Sequence, residues 1–293
     1  MTVSERSLNS IRESCPDLHI QQIRPHRNEG QFNDILIINE KYVFRFPRYE
    51  SQIPIIFQEV SILRRLLPLL PLPIPQPIYI SQNMEQIGAV FMGYPLLPGK
   101  PLWADTLQNI TNTTHKQKLA DQLANFLYTL HHIPVDEWSF PLYAYENQAT
   151  WQKMYAEIKE FLYPLLPATA HQQINAHFDQ FLNSPHAQNI NLTLRHGDFG
   201  SSNILYDHQK GCISGIIDFD FIGIGDPASD LAGLLNYGQP FFDRLHNNYP
   251  DLEQLLPRIH FHKGTFALQE ALHGYKNRDQ EALADGLAPY LDI

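Results

Sequence analysis

Along the first hundred residues, apolar positions come in short bursts rather than in long helical stripes. ILIIN (35–39) and KYVFRF (41–46) are runs rich in Ile, Val, Phe and Tyr, separated by Asn39-Glu40, and they predict a hairpin. FQEVSILRRLL (57–67) changes period. Val60, Leu63 and Leu67 recur at helical spacing, and Pro68 and Pro71 end the run. PIPQPIYI (73–80) is extended, because a residue before proline avoids the helical region. GAVFMGYPLL (88–97) reads as another buried strand. Beyond LPGKP (97–101) the pattern turns helical. Thr113 or Thr114 can cap a helix striped by Leu119, Leu123, Phe126, Leu127 and Leu130. Further helices are predicted near 150–164, from Trp151 to Leu162, and near 169–183, with Ile174, Phe178 and Phe181. Strand-like runs return in LRHGDFGSSNILYDHQKGCISGIIDFD, and helices resume near Ala228. The layout is an α+β chain with a strand-rich lobe (1–92), a short link (93–99) and a mainly helical lobe (100–293).

Composition narrows the class. Hydrophobic residues are 43% and charged residues 18%, which excludes a disordered chain. A length of 293 residues favours one large or two modest domains. Two cysteines, Cys15 and Cys212, are too few for a disulfide scaffold or a four-cysteine zinc site. No run reaches about 18 uninterrupted apolar residues, and the first fifteen residues hold no apolar stretch of signal-peptide length. A cytoplasmic protein without a membrane partner is expected. The net charge of −10 argues against a phosphate-backbone footprint, hence against nucleic acid. The charge is uneven. Residues 1–99 hold nine basic and nine acidic residues, whereas residues 100–293 hold 12 and 22. That excess either solubilises the second part or attracts a cationic ligand.

The chemistry-bearing residues gather in the strand-like return. His196-Gly197-Asp198 is followed by Asn203, five residues after the aspartate, and then by Ile216-Ile217-Asp218-Phe219-Asp220. Phosphoryl transfer needs a carboxylate to orient and deprotonate the attacking hydroxyl, and oxygen ligands for a divalent metal. An Asp with an Asn in one tight loop can supply both, and a second Asp at the end of an apolar strand completes the set. Other chemistries lack their signatures. The pairs His131-His132 and His260-x-His262 do not have the H-E-x-x-H spacing of a helical zinc site, and there is no G-x-x-x-x-G-K-[ST] loop. There is no G-x-S-x-G nucleophile elbow.

RHGDFGSSNIL and IIDFDFIGIGDPASDLAGLL resemble the catalytic loop and the metal-binding segment of the aminoglycoside phosphotransferase family, whose fold is bilobal and protein-kinase-like. VFRFPR and IDFD are most similar to the aminoglycoside 2''-phosphotransferase and macrolide phosphotransferase branches. The resemblance implies a kinase that moves the γ-phosphate of ATP or GTP, with Mg²⁺, to a hydroxyl of a small molecule, an aminoglycoside first. It implies Asp198 as the catalytic carboxylate, with Asn203 and Asp218 holding Mg²⁺. Asp230 would bond back to the catalytic loop. His196 would organise that loop rather than act as a base. Asp220 and Glu270 are candidate contacts to a cationic acceptor.

For the donor nucleotide, the resemblance implies a strand cation paired with a helix glutamate, here Arg45 and Glu59, with Arg48 or Lys41 as substitutes. Gly30 is what remains of the phosphate loop. Backbone groups around Phe91, Met92 and Tyr94 would read the purine edge. A macrolide, choline-like, homoserine-like or sugar acceptor is the nearest alternative, and a nucleotide-binding scaffold without turnover is the alternative from another class. No A-P-E-type activation segment supports a protein kinase.

Overall fold

A computed structural model describes residues 5–26, 32–135, 148–188 and 190–291. In chain order, α1 (Glu5–Ser14) precedes β1 (Ile23–His26), β2 (Asn33–Ile38), β3 (Tyr42–Pro47), α2 (Ile53–Leu66), β4 (Tyr79–Ile80), β5 (Met92–Pro95) and β6 (Lys100–Pro101). Helices α3 (Ala104–Gln108), α4 (Thr113–His131), α5 (Gln148–Glu157) and α6 (Ala168–Leu182) follow. Then come β7 (Thr193–Arg195), β8 (Ile204–Asp207), β9 (Cys212–Ile216) and β10 (Gly223–Gly225). The chain ends with α7 (Ala228–Leu234), α8 (Gln239–Phe242), α9 (Leu252–Asn277) and α10 (Gln280–Leu291). It divides into two compact units, residues 1–103 with 202–221, and residues 104–201 with 222–293.

The first unit is built on an antiparallel sheet of order β1-β2-β3-β5-β4. The hairpin between β2 and β3 turns at Asn39 and Glu40, with φ of 56° and 50°. Two consecutive left-handed residues match the twist of the strands they join. The Asn39 side chain steadies the turn by accepting the amides of Gln21 and Gln22 and donating to the His19 carbonyl. Side chains alternate along β3. Phe44 and Phe46 pack with Leu36, Ile38, Phe91 and Ile11 of α1. Arg45 points to the other face and meets Glu59 of α2. Sequence pattern puts residues 202–221 with the helical lobe, yet they group with the first unit. β8 pairs with β6, matching Tyr206 to Lys100 and Leu205 to Pro101, and the Ile216 amide donates to the Pro73 carbonyl.

The second unit is mainly helical. Its core joins α5, α6, α9 and α10 through Trp151, Tyr155, Phe178, Phe261, Leu268 and Leu287. Tyr155 and Phe178 stack with ring centres 4.5 Å apart. The helix predicted from Thr113 or Thr114 is capped one residue earlier, where the Asn112 side chain accepts the His115 amide at 2.9 Å. The helix predicted to 164 gives way to a π-turn at Ile158–Leu162 and a 3₁₀ turn containing Pro164, because proline cannot donate within a helix. No helix among the described residues is long and apolar enough to cross a membrane.

Candidate active site

In the second unit, β7 delivers the chain into a loop whose backbone is fixed from outside. Gly197 has φ of 90°, a value that L side chains rarely adopt. The amides of His196 and Gly197 both donate to Asp230, at 2.7 Å to Oδ2 and 2.8 Å to Oδ1. The His196 ring is fully buried, and its Nδ1 accepts the Asp198 amide at 3.2 Å. Asp198 itself is exposed at the tip of this turn. Asp230 lies in the first turn of α7 and is fully buried. Burial alone would raise its pKa. A hydrogen bond from His131 and the charges of His131, His196 and Arg195 more than offset it, and the value falls to about 2. His131 in turn reaches Tyr249 Oη at 2.9 Å through Nδ1, with its Nε2 3.1 Å from Asp230. A neighbouring buried carboxylate, Asp226, pairs with Arg258 at 2.9 Å and His262 at 3.1 Å, and these partners hold its pKa low against burial. The histidines singled out by spacing are therefore carboxylate partners at His131 and His262.

In the first unit, one guanidinium gathers three carboxylates. Arg45 Nη1 donates to Glu59 Oε1 at 2.7 Å, and Nη2 lies 2.6 Å from Asp220 Oδ1 and 3.4 Å from Asp218 Oδ1. The Arg45 and Glu59 side chains are 4% and 1% exposed, whereas Asp218 is 42% exposed. Burial opposes charge on Arg45, yet Asp220, Glu59 and Asp218 keep its pKa well above the usual value. Burial pushes the Glu59 carboxyl upward; Arg45 opposes the shift, and the nearby Asp220 and Asp218 add to it. The other oxygen of Asp220 accepts the Asn33 amide group at 2.8 Å, and Phe221 meets Phe32 edge-on at 5.7 Å. Asp218 has φ of 65°, an uncommon conformation for a non-glycine residue that persists where its surroundings impose it. Arg48 pairs with Asp34 at 2.8 Å, and Lys41 is exposed at the hairpin end. Of the three candidate strand cations, only Arg45 is shown reaching Glu59 and the aspartates.

Other expected residues fall elsewhere. Asn203 is buried just before β8, and its carbonyl accepts the Ile217 amide. Phe91, Met92 and Tyr94 are buried, and the Phe91 amide and carbonyl are both taken by Ser81. Met92 and Tyr94 are in register with Arg45 and Val43, so the strand's backbone is committed to the sheet rather than left open. Glu270 is exposed on α9, with its pKa raised by partial burial and by Asp285 and Asp279. Gly30 lies outside the described residues. A cavity of about 360 Å³ behind the link is lined by Leu67, Leu72, Ile74 and Leu97, and it holds none of the candidate residues. Among the described residues no group of three His, Cys, Asp or Glu side chains is arranged to hold a metal. Asn33 and Tyr249 carry no motif, which is why the sequence alone passes over them.

The APH model, described as a phosphotransferase enzyme family, matches residues 23–263. The chain is 29% identical over 269 residues to viomycin phosphotransferase of Streptomyces vinaceus, covering 90% of this chain and 91% of the relative. It is similar to an aminoglycoside 2''-phosphotransferase solved with GDP and kanamycin, at a TM-score of 0.87 and 25% identity, covering 98% and 97% of the two chains. A macrolide 2'-phosphotransferase type I shares the fold at a TM-score of 0.75 and 19% identity over 99% of each chain. The protein is thus a phosphotransferase with the kinase-like fold of these enzymes, and the chain belongs to the APH phosphotransferase enzyme family.

Proposed function

We propose that the chain transfers the γ-phosphoryl group of ATP or GTP to a hydroxyl of a small cationic antibiotic, an aminoglycoside first. The observation that carries this reading is the presentation of Asp198: an exposed carboxylate on a loop whose two preceding amides are fixed by one buried aspartate. The acceptor hydroxyl loses its proton to Asp198 as its oxygen bonds to phosphorus, and the nucleoside diphosphate leaves with the electrons of the broken P–O bond. Asn203 and Asp218 offer oxygen donors, which suit Mg²⁺ rather than zinc. When bound, Mg²⁺ would neutralise charge on the phosphates. The surplus of carboxylates over cations around Arg45 favours a divalent ion. Because β5 spends its backbone in the sheet, and the Leu96 amide and the Pro98 carbonyl are engaged by Lys41 and Ser214, the purine edge is assigned to Leu97 and Gly99 in the link after it. A nucleoside triphosphate donor and two free cysteines fit a cytoplasmic enzyme.

The solved relative with GDP and kanamycin supports both substrates. A second acceptor, viomycin, is favoured by the 29% identity to viomycin phosphotransferase along nearly the whole chain. A coupled assay of nucleoside diphosphate release, with Mg²⁺, across kanamycin, gentamicin, viomycin, a macrolide and small alcohols tests the reading. Turnover confined to the cationic antibiotics is expected. Turnover only with a neutral alcohol, or none with any acceptor, would overturn it.

A further inference from the structure

Behind the catalytic loop, three elements of the second unit meet at one imidazole. His131 closes the last turn of α4, Asp230 lies in the first turn of α7, and Tyr249 comes just ahead of α9. All three side chains are buried. Asp230 accepts three donors: the His196 amide and His131 Nε2 at Oδ2, and the Gly197 amide at Oδ1. Two of them belong to the catalytic loop, so the carboxylate turns only if the loop or His131 gives way. The His131 ring is held at both nitrogens, because Nδ1 lies 2.9 Å from Tyr249 Oη. Half a turn of the ring would put carbon against both partners. Burial and the charge of Asp230 raise the Tyr249 phenol well above its ordinary value, so it stays a hydroxyl. Its ring is in turn wedged edge-on against Tyr128, one turn before His131 on α4, with centres 5.5 Å apart.

We infer that Tyr249 and His131 are positioning residues for phosphoryl transfer: together they orient the Asp230 carboxylate, and through its two amide bonds they set where Asp198 stands. This deepens the proposed function and rests on Asp198 taking the acceptor proton. Neither residue touches a substrate. One proton lies between Tyr249 and Nδ1 and one between Nε2 and Asp230, and the reaction moves neither. Without the Tyr249 hydroxyl the ring keeps a single anchor, and Asp230 can rotate with it. Hydrogen bonds weaken steeply as their angle departs from linear. The His196 and Gly197 amides then lose their alignment, and a small misplacement of the reacting carboxylate is costly in rate. Donor and acceptor binding are untouched, so the effect belongs to kcat.

The test measures phosphorylation of kanamycin and viomycin by Tyr249→Phe, His131→Gln and His131→Ala, with Tyr249→Phe made in the Asp198→Ala background as well. Tyr249→Phe should lower kcat by about tenfold, with nucleotide and acceptor KM within about twofold of the parent. His131→Gln keeps an N–H for Asp230 and should retain more of kcat than His131→Ala. In the Asp198→Ala background Tyr249→Phe should cost no further rate, because residues that act through one another are not additive. In amide exchange followed by NMR, Tyr249→Phe should speed His196 and Gly197 by about tenfold and leave the α9 core around Leu268 unchanged. An unchanged kcat, with the Asp198→Ala rate still depressed, overturns the inference and leaves Asp198 as the base. So does an equal loss in both backgrounds, or exchange that quickens throughout the unit, since either marks Tyr249 as a packing residue. Should His131→Ala not fold, Tyr249→Phe, which differs from the parent by one oxygen, carries the test. If Asp198→Ala itself keeps the parent rate, the Asp198 reading falls and this inference with it. If neither antibiotic is phosphorylated, the acceptor reading falls, and amide exchange alone decides: His196 and Gly197 unmoved by Tyr249→Phe overturns the inference.

Discussion

Asp198 stands at the end of a chain of small constraints, and each residue in that chain has its own measurable signature. Asp198→Ala removes only the exposed carboxylate, so kcat should fall by roughly 10²–10⁴ while nucleotide affinity is kept. A rate within threefold of the parent would remove it from the reaction. Asp230 acts through backbone amides and is felt in stability. Its folded pKa of about 2 lies below the ordinary 3.8. The stabilisation is fully present above the ordinary value and is lost as pH falls toward the folded value. The displacement corresponds to about 2 kcal/mol. Asp230→Asn should lower Tm at neutral pH, and the gap to the parent should narrow between about pH 4 and 2. A gap independent of pH would assign the loss to shape rather than to charge.

At the scale of elements, α7 is the part that decides where the catalytic loop lies. Its first turn supplies Asp230, and Gly233, one turn on, meets the loop backbone. A Cβ at Gly233 would lie 2.0 Å from the Phe199 carbonyl oxygen, so only glycine lets helix and loop approach. Phe199 is also stacked on Phe126 of α4, with ring centres 5.7 Å apart. Gly233→Ala should therefore lower Tm and kcat together, because the loop must shift before the helix can pack. Full activity with a normal Tm would show that the loop is set elsewhere. Much of this was legible beforehand. The β2–β3 hairpin and the stripe of α4 are local patterns, and local patterns survive in sequence. Helix α1 was not, since its buried face holds Ser7, Ser10 and Ile11, too little apolar surface to stand out. The catalytic motif was readable as spacing, but the gathering around Arg45 was not. Asp218 and Asp220 lie more than 170 residues from Arg45 along the chain, and Asn33 lies 187 from Asp220. Only folding brings such residues together, and nothing in their neighbours announces it.

At the scale of the whole molecule, charge is the quantity that sequence fixes and folding distributes. The net charge of −10 falls entirely beyond residue 99. An acceptor with several ammonium groups gains from such a field, and the gain is screened by salt. Acceptor KM should rise steeply with ionic strength, while nucleotide KM in saturating Mg²⁺ changes less. Glu270→Gln should raise acceptor KM. A KM indifferent to salt would reduce the acidic excess to a solubility feature. The division of the chain has a further consequence, for synthesis. The first unit is made of residues 1–103 and 202–221, so β8 and β9 leave the ribosome about a hundred residues after β6. Until β8 and β9 emerge, β6 has no partner and the Pro73 carbonyl lacks its donor. The nascent amino-terminal segment must wait, incomplete, while helices α3 to α6 are translated. A fragment stopped near residue 110 should accordingly be protease-sensitive and aggregation-prone, and addition of the chain through residue 221, which completes the separate β6-β8-β9 sheet, should be the first point at which the first unit becomes protected.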